Sequence, residues 1–134
     1  PGGVLVIAKP AGGNDTRNVF ALYDAFEGQL HRPDVKGMIE ALHRQDVKGV
    51  GRTMGNVFEP VCALETVSAL VSAMKAKDAL GAAMTGTGTA VAGLFADEAA
   101  AQTCLESLRQ TLPLEYLGIH RPVAGGAKVV GALP

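Results

Sequence analysis

Apolar positions along the chain follow two periods, one typical of buried strands and one typical of amphipathic helices. Residues 4 to 8 (VLVIA) are continuously apolar and rich in β-branched side chains, and a proline and two glycines follow them closely. This composition predicts a first strand that is buried on both faces. Three further short strands are predicted at residues 81 to 84 and 89 to 96, on either side of a glycine-rich loop, and at residues 114 to 120, after Pro113.

Between these strands, apolar residues recur at every third or fourth position, which is the period of a helix with one buried face. Asp34 and Asp97 stand where a side chain can accept free N–H groups of a first helical turn, and Pro113 stops the last helix. Nearby glycines weaken the prediction for residues 46 to 54, whereas the apolar stripe of residues 60 to 77 is the most regular. The predicted helices are residues 16–27, 35–44, 46–54, 60–77 and 98–112.

The order of the predicted elements is strand, several helices, a hairpin of two strands, helix and strand. This order is typical of a ferredoxin-like split β-α-β fold, here with extra helices in the first crossover. We therefore predict an α+β sandwich that forms a single domain over residues 1 to 134, with a four-stranded antiparallel sheet and helices on one face. Both alternating sets of residues 4 to 8 and 89 to 95 are apolar or small, so we expect something outside this chain to cover the second face.

The composition excludes several classes of function. Twelve lysines and arginines against thirteen acidic residues give a net charge of -1, which lacks the basic surplus that holds a nucleic-acid backbone. No apolar run approaches the roughly 20 residues that span a bilayer. Cys62 and Cys104 have neither a Cys-x-x-Cys spacing nor a nearby histidine pair, so we expect reduced thiols in a cytoplasmic protein and no metal site.

The segment MTGTGTAVAGLF, residues 84 to 95, places two glycines one residue apart among threonines. A dinucleotide fingerprint or a P-loop needs a helix directly after its glycines, and a P-loop also needs a lysine. A predicted strand follows here, so both motifs are excluded. Two interpretations stay open: the backbone N–H groups and threonine hydroxyls bind an anion, or the glycines only permit positive φ angles in a tight turn.

Three segments, in this order along the chain, resemble one known family. They are VLVIAKPAGGNDT at residues 4 to 16, GNVFEPV at residues 55 to 61 and the glycine-rich segment at residues 84 to 95. Together they resemble the C-terminal domain of the galactokinase, homoserine kinase, mevalonate kinase and phosphomevalonate kinase (GHMP) superfamily, and most of all its 4-diphosphocytidyl-2-C-methyl-D-erythritol kinases. The resemblance covers about residues 4 to 119, and the three motifs together are more specific than any one.

The resemblance implies roles for residues in all three segments. The glycine-rich turn is implied to lie against the nucleotide phosphates and to offer backbone and hydroxyl donors. Thr16 is implied to approach the methylerythritol substrate, and Asn56 and Glu59 are implied to line the cleft or to support it. The residues implied to bind the ATP cofactor are Thr85, Gly86, Thr87, Gly88 and Thr89, and those implied to bind substrate are Thr16 and Asn56.

The same resemblance implies that the catalytic residues lie outside this chain. In the family, an N-terminal domain carries the ATP loop and the groups that act on the acceptor hydroxyl. ATP and Mg²⁺ are therefore expected cofactors of a two-domain parent, and the chain alone is expected to be inactive as a kinase. The chain begins Pro1-Gly2-Gly3 and enters its first strand at once, which is typical of a cut through a longer polypeptide.

Several partners and functions follow from these expectations. The missing N-terminal domain is expected to cover the second face of the sheet, and a homodimer of the isolated chain is the alternative. The implied reaction transfers the γ-phosphate of ATP to the 2-hydroxyl of 4-diphosphocytidyl-2-C-methyl-D-erythritol, a step of non-mevalonate isoprenoid biosynthesis. Two alternatives stay open: another kinase of the superfamily, acting on homoserine, mevalonate or a sugar, and a stand-alone anion-binding module without catalysis.

Overall fold

The computed structural model describes residues 2–131 and shows one four-stranded sheet with helices in two of its three connections. No helix in this range is both long and apolar enough to cross a membrane. In chain order the elements are β1 Val4–Pro10, α1 Thr16–Ala25, α2 Val35–His43, α3 Val47–Thr53, α4 Phe58–Cys62, α5 Glu65–Ala76, β2 Gly81–Met84, β3 Val91–Phe95, α6 Glu98–Thr111 and β4 Leu114–His120.

Neighbouring strands are antiparallel throughout the sheet, in the order β2-β3-β1-β4. Val6 of β1 lies opposite Gly93 of β3 and Ile119 of β4. Each helical connection therefore skips one strand, and only β2 and β3 form a hairpin. This is the split β-α-β arrangement, so the predicted fold class is confirmed.

Helices α5 and α6 bury the first face of the sheet. Alternate residues of β1 point to this face, and Val6 among them is completely buried. Met74 of α5 and Leu108 of α6 meet Phe95 of β3 there, and full burial of such side chains stabilises the fold by about 1.5–3 kcal/mol each. The buried cluster comprises Val4, Val6, Ala8, Val67, Leu70, Met74, Ala82, Met84, Val91, Phe95, Ala101, Cys104 and Leu108.

Helix α3 covers part of the second face, beside β2 and β3, so the prediction that the helices lie on one face only is wrong. Leu94 of β3 is only 6% exposed, and it lines an apolar cavity of about 280 Å³ together with Val47 and Val50 of α3. The helix approaches β2 closely because Gly51 has no side chain, since a Cβ there would lie 2.5 Å from the carbonyl oxygen of Leu80. The glycines that weaken the helix prediction in this region therefore permit the packing of the helix.

The rest of the second face is more open. Leu5 and Ile7 of β1 are half-buried, and Tyr116 of β4 is 45% exposed. That an N-terminal domain covers the second face stays a prediction, and it now concerns the part of that face formed by β1 and β4.

The single helix predicted over residues 60 to 77 is wrong, because two helices occupy this region. The chain breaks at Ala63, whose φ of 48° and ψ of 44° are left-handed, and Leu64 is extended. The two helices have different partners: Phe58 of α4 packs edge-on against aromatic rings of α1, whereas Met74 of α5 lies under the sheet. One straight helix with a single apolar stripe cannot serve both partners.

The two cysteines differ in burial, which predicts different reactivity. Burial raises the pKa of both thiols, and nearby Lys77 offsets part of the rise at Cys104. Because only the thiolate reacts, and because Cys104 is fully buried while Cys62 is half-buried, we expect iodoacetamide at pH 8 to alkylate Cys62 about tenfold faster or more. Peptide mass spectrometry over time measures both rates. In urea the rates should converge, and equal rates in the native protein would contradict the buried position of Cys104.

Candidate functional site

The glycine-rich segment forms the connection between β2 and β3. The Thr85 N–H donates to the carbonyl oxygen of Ala90 at 2.8 Å, and the Gly88 N–H donates to the carbonyl oxygen of Thr85 at 3.0 Å. Gly86 and Gly88 have φ angles of +52° and +100°, and residues other than glycine rarely adopt positive φ angles. The glycines are thus required by the turn itself, whatever the loop binds. We call residues 84 to 89 the glycine loop.

The segment between β1 and α1 contacts the glycine loop through three side-chain hydrogen bonds. Asn14 Nδ2 donates to the carbonyl oxygen of Thr87 at 3.0 Å, and the hydroxyls of Thr16 and Thr87 lie 3.2 Å apart. The Thr89 hydroxyl donates to the carbonyl oxygen of Gly12 at 3.2 Å. These bonds bring together two segments that are more than 70 residues apart in the chain.

The start of α4 contacts the other side of the loop. Asn56 Nδ2 donates to the carbonyl oxygens of Met84 and Gly86, each at 2.7 Å, and a carboxylate oxygen of Glu59 accepts the Met84 N–H. Met84 ends β2, which is an edge strand, so these side chains satisfy backbone groups that no further strand would pair. All three motif segments named in the sequence therefore meet at one place.

Lys9 holds the turn that follows β1. Its ammonium group donates to the carbonyl oxygen of Gly12 at 2.7 Å and to Glu115 of β4 at 2.9 Å. Because Gly12 also accepts from Thr89, this lysine links β4 to the glycine loop through one backbone carbonyl. The ion pair is largely exposed, so its role is to restrain the turn rather than to stabilise the fold by much.

The site offers donors for an anion. The N–H groups of Gly86 and Thr87 have no protein acceptor among residues 2–131, and the side chain of Thr85 is exposed. The carboxylate of Asp15 accepts the Arg17 N–H at the start of α1, so it caps that helix. Within the described part of the chain, no three His, Cys, Asp or Glu side chains come together as a metal site. The arrangement is suited to phosphate oxygens and supplies no ligand cluster for Mg²⁺.

Two open cavities adjoin the loop. One of about 280 Å³ has a mostly apolar wall that includes Met38, Met54 and Thr85. The other, of about 510 Å³, lies on the Asn56 side, and its lining residues include His31, Asn56 and Glu59. Space for an acceptor molecule thus exists on both sides of the segment that carries Asn56.

The structure places every site residue implied by the resemblance in or against the glycine loop. Thr85 to Thr89 form the loop, Thr16 reaches it from α1, and Asn56 reaches it from the start of α4. Contact with a nucleotide or substrate stays a prediction for each of them. Sequence reasoning missed Asn14 as a residue that holds the loop, and the only signal for it was its position two residues before Thr16.

Comparisons with known proteins agree on one family. The sequence profile described as "GHMP kinases C terminal" matches residues 38–114. The 4-diphosphocytidyl-2-C-methyl-D-erythritol kinase of Lachnospira eligens is 36% identical over 108 residues, which are 79% of this chain and 37% of that protein. The enzyme of the same name from Symbiobacterium thermophilum is 37% identical over 107 residues, which are 78% of this chain and 38% of that protein. This chain therefore spans less than two fifths of the length of these relatives.

Solved structures agree in fold. A homoserine kinase from Cytophaga hutchinsonii superposes with a TM-score of 0.71 at 16% identity, over 90% of this chain and 42% of that chain. The mevalonate kinase of L. major in complex with R-mevalonate superposes with a TM-score of 0.69 at 20% identity, over 93% and 44%. A 4-(cytidine 5'-diphospho)-2C-methyl-D-erythritol kinase superposes with a TM-score of 0.64 at 23% identity, over 89% and 43%. The chain belongs to the GHMP kinases C-terminal family.

Proposed function

We propose that this chain is the phosphate- and substrate-side domain of a two-domain kinase, whose N-terminal ATP-binding domain lies outside residues 1 to 134. The proposed reaction transfers the γ-phosphate of ATP to the 2-hydroxyl of 4-diphosphocytidyl-2-C-methyl-D-erythritol. The observation that carries the proposal is the convergence of all three motif segments on the glycine loop, whose Gly86 and Thr87 N–H groups are free to donate. The names of the curated relatives support this acceptor.

This domain's part in the reaction is to bind and to orient. The N–H groups of Gly86 and Thr87 and the hydroxyls of Thr85 and Thr87 would donate to phosphate oxygens, which favours the charge that phosphoryl transfer redistributes. The hydroxyl of Thr89 is buried and donates to the carbonyl oxygen of Gly12, so it holds the loop instead. The phosphate oxygens of ATP are acceptors that suit these donors. Mg²⁺ would be held mainly by the nucleotide phosphates, and the described residues bring no three His, Cys, Asp or Glu side chains together for it.

Two other functions are candidates: a kinase with another acceptor, and a binding module without catalysis. The fold superposes on a homoserine kinase and a mevalonate kinase with TM-scores of 0.71 and 0.69, so another acceptor alcohol within the superfamily is the second candidate. A stand-alone module that binds an anion without catalysis is the third, and the free donors of the glycine loop are the observation that favours it. A cytoplasmic location belongs to the first proposal and stays a prediction.

The test compares this chain with the native polypeptide that contains it. An antibody raised against the chain should detect a native protein of about 30 kDa, the size of two such domains. That purified native protein should transfer phosphate from ATP to 4-diphosphocytidyl-2-C-methyl-D-erythritol, and the 134-residue chain should transfer none. Homoserine and mevalonate serve as control acceptors. A native protein of about 14 kDa would contradict the kinase proposal, and turnover of a control acceptor alone would contradict the proposed substrate.

A further inference from the structure

Both N–H groups and the carbonyl oxygen of the Asn56 side chain form hydrogen bonds inside the protein. The two N–H groups face carbonyl oxygens of the glycine loop, and Oδ1 accepts the Phe58 N–H at 2.9 Å, where α4 begins. Because the amide oxygen faces a donor and the amide nitrogen faces acceptors, the carboxamide has one satisfactory orientation. No N–H group of Asn56 is left to donate to a substrate.

The bond to Gly86 fixes the direction of a peptide group. In a trans peptide the C=O and the following N–H point in opposite directions. Since the Gly86 carbonyl oxygen is bound by Asn56, the Thr87 N–H points away from Asn56. That N–H has no protein acceptor among residues 2–131, so it is free to donate to a ligand.

Asn14 fixes the next peptide group in the same way. Its Nδ2 binds the Thr87 carbonyl oxygen, and the N–H that follows, of Gly88, is used inside the turn by the carbonyl oxygen of Thr85. The two asparagines therefore hold consecutive peptide groups, and of these two only the one that Asn56 holds has an N–H without a protein acceptor among residues 2–131.

We infer that Asn56 is the positioning residue that aims the Thr87 N–H at a phosphate group of the ligand. The inference rests on the proposed function for the identity of the ligand, and it assigns Asn56 a role through the loop rather than by contact with substrate. Thr87 then supplies its N–H to the anion, and its hydroxyl is a second donor when the Thr16 hydroxyl, 3.2 Å away, donates to it.

Asn56→Asp is a selective test of this role. One carboxylate oxygen can still accept the Phe58 N–H and begin α4, but the other would face the carbonyl oxygens of Met84 and Gly86 and repel both. The Gly86–Thr87 peptide is then expected to rotate. Gln110→Glu, on the exposed side of α6, makes the same amide-to-acid change far from the loop and serves as the matched control. Asn56→Ala removes the donors without adding charge.

The experiment uses nuclear magnetic resonance of the 134-residue chain. Residual dipolar couplings report the direction of the Thr87 N–H, and titration with inorganic tripolyphosphate reports anion affinity. We expect both Asn56 variants to change the Thr87 coupling and to weaken tripolyphosphate binding about tenfold or more, while Gln110→Glu changes neither.

The outcomes separate the inference from the proposed function. An unchanged Thr87 coupling in both Asn56 variants would overturn the inference. So would loss of the native spectrum in both, because a residue that aims one peptide group is not required for the whole fold. Reorientation of the Thr87 N–H in a protein that never binds tripolyphosphate would support the positioning role and contradict the phosphate-binding function.

Discussion

Replacing Gly81 by Ala is expected to remove about 3 kcal/mol or more of the free energy of unfolding, a large share of the stability of a domain this size. Gly81 is buried at the start of β2, where a Cβ would collide with the carbonyl group of Gly51 in α3. Backbone lies on both sides of this contact, so no side chain can move aside to relieve the overlap. Helix α3 would have to leave the sheet, and the cavity wall formed by Leu94 would open.

Urea denaturation followed by circular dichroism measures this effect. Gly55→Ala is the matched control, since the nearest atom to its Cβ would be Pro33 Cγ at an ordinary 3.5 Å, and we expect a change within about 1 kcal/mol. Gly51→Ala strains the same helix-strand contact, so the double variant should lose less than the sum of the single variants. Equal stability of Gly81→Ala and the wild type would show that α3 does not rest on β2 in solution.

The local pattern of apolar residues was sufficient to predict most elements of the fold. A continuous apolar run identifies β1 and a single buried stripe identifies α6, because each of these elements has one set of partners along its whole length. The prediction of one helix over residues 60 to 77 failed for the opposite reason, because the two helices of this region have different partners. Phe58 packs on α1 and Met74 packs under the sheet, and the break between them at Ala63 is set by these two partners rather than by a local helix-breaking residue.

The candidate site depends on contacts that no local pattern encodes. The resemblance of three short motifs indicated which segments matter, and the topology of the sheet shows why they meet, since β1 and β3 are adjacent and the glycine loop leads into β3. The bond of Asn14 to Thr87 and that of Thr89 to Gly12 join residues more than 70 positions apart. Sequence spacing predicts neither, because their geometry is fixed only after the strands pair.

Replacing Gly88 by Ala is expected to weaken tripolyphosphate binding by this chain about tenfold or more. A Cβ at this position would lie 3.0 Å from Asn14 Nδ2 and 3.0 Å from Met84 Sδ, and the φ of +100° is itself unfavourable for alanine. Asn14 would have to withdraw from the Thr87 carbonyl oxygen, and the loop would lose its tie to the segment that carries Thr16. The anion donors of the loop would then no longer be held in one arrangement.

Gly86→Ala separates this steric effect from backbone strain. Its φ of +52° is also positive, but no atom lies within 4 Å of the Cβ that alanine would add, so only a cost of about 1–2 kcal/mol for the left-handed conformation is expected. In nuclear magnetic resonance spectra, the side-chain amide signals of Asn14 should therefore shift in Gly88→Ala and stay in place in Gly86→Ala. The midpoint temperature of thermal unfolding should fall by a few degrees in both variants. If Gly88→Ala left the Asn14 signals and the tripolyphosphate affinity unchanged, the bond from Asn14 to the glycine loop would not be what holds the anion donors of the loop in place. Glycine at position 88 would then serve the turn alone, which is the simpler of the two interpretations that the sequence left open.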